Sequence, residues 1–240
     1  MLSRGIENAQ KRIESKNFDA RKNLLEYDDV SNDQRQAIYS LRNQLLEEDN
    51  ITQTIQNLIE DQFGIISNTY IPIDSIESQW RSPELEKHLI ETYDLQTNIA
   101  NEISLDKKLI PETIALKVIE LAKNKYKSKY GDVGDNLIPL EKQVMLQVLD
   151  VHWKEHLAEI DHLRNSVGLR SYAQKNPKNE FKKEAYSMFE TMLEDIDNGT
   201  IKILFSLQIA SEDDVASIAP EQKNENLVME KEDPSSNIIE

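Results

Sequence analysis

Three features of the sequence predict an all-α fold. Only six glycines and seven prolines punctuate 240 residues, too few for a loop-rich β protein. Apolar residues recur at three-, four- and seven-residue steps, the spacing of a helix face. The longest such series lies in residues 1–48, which hold no proline and no glycine after Gly5.

Residues 1–48 are predicted as one helix. Ile6, Ile13, Ala20, Tyr27, Gln34 and Leu41 recur at every seventh position, accompanied by Leu24, Ile38 and Leu45. Ser31 and Gln34 in DDVSNDQ have the spacing of a capping box. The seven-residue series keeps its phase across them, which favours an unbroken helix of ~65 Å at 1.5 Å per residue.

Residues 49–134 predict a compact subdomain of shorter helices. Asn50 caps a helix through Phe63, and IPIDS is a turn. Ser82 before Pro83 is a cap followed by a first-turn proline, and Pro111 opens a helix ending near Gly131.

Residues 135–210 predict a helical hairpin. Met145, Val148, Leu149, Leu157, Ile160, Leu163 and Val167 stripe the first helix. Gly168 ends it, being free to adopt the left-handed conformation. Asn176 and Pro177 open the second, striped by Phe181, Ala185, Met188, Phe189, Met192 and Ile196. A connection of roughly eight residues makes the two antiparallel neighbours. Residues 211–240 lose this periodicity and read as a disordered acidic tail.

Charge narrows the function. The formal net charge is −16, which argues against nucleic acid as the main partner, because phosphate binding needs a basic face. Residues 168–183 form a basic island with five Lys or Arg against one Glu. There is no cysteine, so disulfides and thiolate zinc sites are excluded. No apolar run approaches the ~18 residues that cross a bilayer, and MLSRGIENAQ lacks a signal-peptide core. A cytosolic chain, at most peripheral to a membrane, is expected.

Two motifs invite chemistry. His152, Glu155 and His156 spell H-x-x-E-H, with both imidazoles on one helix face and a glutamate to polarise a water. A third ligand would have to come from Asp150, Glu159 or His162. The surrounding stripe makes the same face a packing interface, so hydrogen-bonded core histidines are the favoured reading over a zinc peptidase. Trp153 reads likewise as a core anchor. Nucleotide binding needs glycines at fixed spacing before a lysine and a hydroxyl, and none of the six glycines starts such a loop. Arg170, Tyr172 and Lys175 in GLRSYAQKNP lie at the hairpin tip. They are either a solvated turn or a contact for a polypeptide or acidic partner, with tyrosine supplying apolar area and a polar handle.

SRGIENAQKRIESKNFDARKNLLEYDDVSNDQRQAIY closely resembles the long scaffold helix of the SecA family, the motor ATPases of bacterial preprotein export. LQVLDVHWKEHLAEIDHLRNSVGLRSYAQKNPKNEFKKEAYSMFETMLEDI resembles that family's two-helix finger. TYIP and Trp80 resemble its helical wing more loosely. The likeness covers residues 1 to about 209. It implies a scaffold helix over 1–48, a wing over 49–134, the rest of the scaffold with the finger over 135–210, and a tail over 211–240. It also implies a C-terminal piece, begun at an internal methionine, without the nucleotide-binding motor.

On that resemblance the function is mechanical. ATP and magnesium belong to the motor, this chain holds no cofactor, and zinc enters only through a cysteine-rich tail beyond Glu240. Arg21 matches a scaffold arginine that contacts the motor and couples hydrolysis to movement. Tyr172 matches the tip tyrosine that engages the unfolded preprotein at the mouth of the SecYEG channel, with Arg170 and Lys175 meeting the channel's cytoplasmic loops. Ser171 replaces a glycine common there, and Asn176 an aspartate. The implied location is the cytoplasmic face of the bacterial inner membrane, against anionic lipid. The chain alone is expected to be no enzyme. A zinc peptidase and a free-standing helical adaptor are the alternatives.

Overall fold

The structure, a computed structural model, describes residues 2–105, 109–131, 136–167 and 176–207. Among these residues there are seven α-helices, one short 3₁₀ turn and no strand. The first helix, α1 (Leu2–Glu47), is continuous. The capping-box spacing at Ser31 and Gln34 does not break it, because tertiary contacts hold both sides. Asp28 pairs with Arg164, and Gln34 and Ile38 are buried.

Next come α2 (Thr52–Tyr70), the 3₁₀ turn Glu77–Gln79, α3 (Ser82–Tyr93), α4 (Ile99–Leu105) and α5 (Pro111–Tyr130). Asn50 meets the start of α2, its Oδ1 accepting from the Thr52 N–H at 2.9 Å. That helix runs past the predicted end at Phe63. Ile55, Ile59, Phe63 and Ser67 form one buried face at four-residue steps, and burial of Ser67 carries the helix beyond Gly64. At α3 the cap is Arg81 rather than Ser82. The Arg81 carbonyl accepts from the Leu85 N–H, and its guanidinium reaches the Thr69 carbonyl at 2.7 Å. Tertiary anchoring of Arg81 thus moves the start by one residue. Pro111 opens α5 as predicted.

The hairpin is α6 (Leu137–Val167) and α7 (Pro177–Ser206). Asn176 caps α7 by accepting from the Lys178 N–H, with Pro177 in the first turn. The predicted stop at Gly168 lies outside the described residues, as does the tail assigned to 211–240.

Cross-helix pairs set the directions. As α1 numbers rise through Asp28, Gln34 and Arg42, their α6 partners fall through Arg164, His156 and Asp150. Those two helices are antiparallel. The α7 partners rise from Lys178 through Phe181 to Ala185 against Glu26, Tyr27 and Gln34, so α1 and α7 are parallel. Gly199 lets the hairpin close tightly, since a Cβ there would lie 3.1 Å from Val148 Cγ1.

The main core joins the second half of α1 to every later helix. Phe205, near the end of α7, sits among the rings of Phe63, Tyr93 and Tyr126 at centroid distances of 4.9 to 5.9 Å among the four. A smaller cluster of Ile160, Leu163, Val167, Phe181 and Ala185, with Tyr27 and Val30 against it, fills the tip end of the hairpin. Of the predicted α1 stripe, Gln34, Ile38 and Leu45 are buried and Tyr27 and Leu41 half-buried. Ile6 and Ile13 are 55% and 61% exposed, for within the described residues α1 meets its first cross-helix partner at Glu26.

Candidate functional site

The site is the junction where α1 lies in the angle of the hairpin. Tyr27 packs edge-on against Phe181 with centroids 4.8 Å apart. Two exposed or half-exposed ion pairs flank this apolar contact, Glu26 to Lys178 at 2.7 Å and Asp28 to Arg164 at 2.8 Å, and a third, Arg42 to Asp150 at 3.2 Å, lies further along α1. The Lys178 ammonium, bonded to Glu26, holds that carboxyl below the usual range.

At the centre is a buried polar pair. The Gln34 amide Nε2 donates to the Ala185 carbonyl at 3.0 Å, and Gln34 Oε1 lies 3.0 Å from His156 Nε2. The arrangement sets the tautomer. Since the amide nitrogen serves Ala185, the oxygen faces the imidazole, and His156 donates from Nε2. His156 is 2% exposed, and its Nδ1 has no hydrogen-bond partner among the described residues. Burial disfavours the charged imidazolium and pushes its pKa below the ordinary value. Trp153 stacks on this imidazole, centroids 5.7 Å apart.

The H-x-x-E-H residues all line one cavity of about 240 Å³ between α6 and α7. His156 Nε2 is taken by Gln34, whereas His152 Nδ1 lies 3.9 Å from Glu155. Of the suggested third ligands, Asp150 pairs with Arg42 while Glu159 and His162 are exposed. Among the described residues no three His, Cys, Asp or Glu side chains form a group that could hold a metal. The geometry makes His156 a packing residue, buried beneath Trp153 with its Nε2 held by Gln34.

Arg170, Tyr172 and Lys175 lie outside the described residues. Their anchors do not: Val167 ends α6 in the small cluster and Asn176 caps α7. Arg21 is exposed on α1, about 9 Å along the axis from Tyr27 at 1.5 Å per residue. The structure does not bring Arg21 into an ion pair with any described residue.

Sequence reasoning missed the partner of His156. The available signal was Gln34 itself, a polar residue in phase with an apolar stripe. It also missed Glu141, which is fully buried on α6 and accepts from the Tyr126 hydroxyl at 2.6 Å. Burial raises the pKa of that carboxyl, and the tyrosine bond partly offsets the rise.

A family model for the SecA wing and scaffold domain matches residues 1–208. The chain is similar to the protein translocase subunit SecA of Nitrosomonas europaea, with 44% identity over 94% of this chain and 25% of the relative. The same-named subunit of Azoarcus sp. is 43% identical over 93% of this chain and 25% of its own length. That of Chromobacterium violaceum is 41% identical over 91% and 24%. The chain spans about a quarter of the length of these curated relatives.

Proposed function

The chain belongs to the SecA wing and scaffold family, and from that premise we propose that it is the coupling element of a protein-translocating ATPase. ATP and magnesium are bound in motor domains of the whole protein, and this chain hydrolyses no ATP itself. Motion passes along α1 to the hairpin, where Arg170, Tyr172 and Lys175 act on an unfolded preprotein at the SecYEG channel. Work is done at the cytoplasmic face of the inner membrane, in peripheral contact with anionic lipid. The units are the scaffold helix 1–48, the wing 49–134, the remaining scaffold and finger 135–210, and the linker 211–240.

One observation carries this reading. The first half of α1 holds Ile6, Ile13, Phe18 and Leu25, each 55 to 67% exposed. At ~100° per residue, Phe18 and Leu25 lie about 100° or more around the helix from Ile6 and Ile13. A helix apolar on two faces has partners on two sides, and Arg21 lies between them. The SecA relatives extend well beyond the matched quarter, and the motor domains are the proposed cover.

Amide exchange tests this. Residues 4–25 should exchange freely in the 240-residue chain while residues 34–45 are protected. In the whole protein, residues 4–25 should gain at least ~100-fold protection, as docked helices do. Equal exchange in both settings would overturn the reading.

A further inference from the structure

We infer that Gln34 and His156 form the register pin between the long helix and the hairpin, a buried polar pair that fixes which turn of α1 faces which turn of α6 and α7. The inference deepens the proposed coupling role and rests on it for its consequence in transport.

The apolar contacts of this junction are forgiving. Along α1 the buried or half-buried positions repeat at three- and four-residue steps from Tyr27 through Leu45, so a shift by one turn still sets apolar against apolar. The ion pairs at Glu26, Asp28 and Arg42 are exposed or half-exposed, on long side chains that can follow a shift or exchange it for water.

The central pair has no such freedom. Gln34 has both amide ends engaged on different helices, Oε1 with His156 on α6 and Nε2 with the Ala185 carbonyl on α7. Sliding α1 by one turn would bury a glutamine amide and an imidazole N–H without partners, the costly state for polar groups away from water. Single buried polar residues in helical seams select register in the same way. His156 and Gln34 are positioning residues: they hold the tip-bearing hairpin in one place along the helix that also carries Arg21.

The chain has no native cysteine, so crosslinking reads register directly. Arg42→Cys with Asp150→Cys reports the observed register. Arg42→Cys with Lys154→Cys, or with Leu146→Cys, reports a displacement of one turn either way. With Gln34 and His156 intact, the observed-register pair should dominate. Replacing both by leucine keeps the site filled and apolar, and the displaced crosslinks should rise about fivefold, the population that one hydrogen bond of ordinary net strength controls. The swapped pair, Gln34→His with His156→Gln, should return them to the original level.

Melting is measured alongside. If the leucine pair fails to fold, Gln34→Met, which keeps length and loses both bonds, takes its place. Displaced crosslinks at the original level in the folded variant would overturn the pin. In the whole protein the same leucine pair should lower preprotein transport per ATP by a similar factor. A change in register with unchanged transport per ATP would overturn its part in coupling while leaving the pin in place.

Discussion

Falling pH changes the contributions of His156 and Asp197 to stability in opposite directions. Burial holds the folded pKa of His156 below its unfolded value of ~6.5. Its contribution to stability is therefore complete above that value and is lost as pH falls through it, because the unfolded chain takes up the proton first. Asp197 is pushed up to about 6 by burial and by the Asp61 carboxylate on α2. The ionised form weakens the fold above pH 6, and the penalty is relieved as pH falls from about 6 toward 3.8. Asp197→Asn should raise stability at pH 7.5 by ~1–2 kcal/mol after allowance for solvent screening, and change little at pH 4. Urea midpoints at the two pH values check this; an equal effect at both would be wrong for this pair. The core role of His156 was legible from its place on a packing stripe. The Asp61–Asp197 pair was not, since 136 residues separate two acids that read as solvated until α2 and α7 pack.

Among the elements, the end of α7 is closely anchored by α5. Its last carbonyls are orphan acceptors, and α5 supplies the donors. Tyr130 Oη donates to the Leu204 carbonyl, and Lys129 Nζ reaches Leu204 at 3.2 Å and Phe205. Phe205→Ala should cost ~3–5 kcal/mol, the range for a buried aromatic, and should expose the amides of residues 201–207 to exchange. Tyr130→Phe should cost only ~1 kcal/mol, one hydrogen bond. Denaturant unfolding of both variants gives the ranking, and a reversed order would contradict this anchoring. Helix existence was readable from periodicity, including the unbroken α1 and the capped start at Asn176. Helix ends were less so. The real end of α2 depends on Ser67 meeting the core, and the real cap of α3 on Arg81 reaching Thr69, both decided by residues distant in sequence or by packing.

At the scale of the molecule, the two halves of α1 have different tasks. From Gln34 onward it belongs to this chain's own core; before Glu26, Ile6, Ile13, Phe18 and Leu25 face outward, with Arg21 among them. The seven-residue series predicted a stripe through both halves and could not show where this chain's own core would stop covering it. The tip residues, read from a resemblance and a basic island, lie outside the described residues, but Asn176 and the small cluster at Tyr27 anchor the hairpin that carries them. The most direct test measures ATP turnover and vesicle import side by side in the whole protein. Tyr172→Ala should lower preprotein transported per ATP by about tenfold, in the range of losing an aromatic contact, with melting shifted by no more than a surface substitution allows, ~0.5 kcal/mol. Arg21→Ala should instead alter ATP turnover even without preprotein. Normal transport per ATP in Tyr172→Ala, or a loss that only follows a fall in melting temperature, would contradict the coupling role of the hairpin.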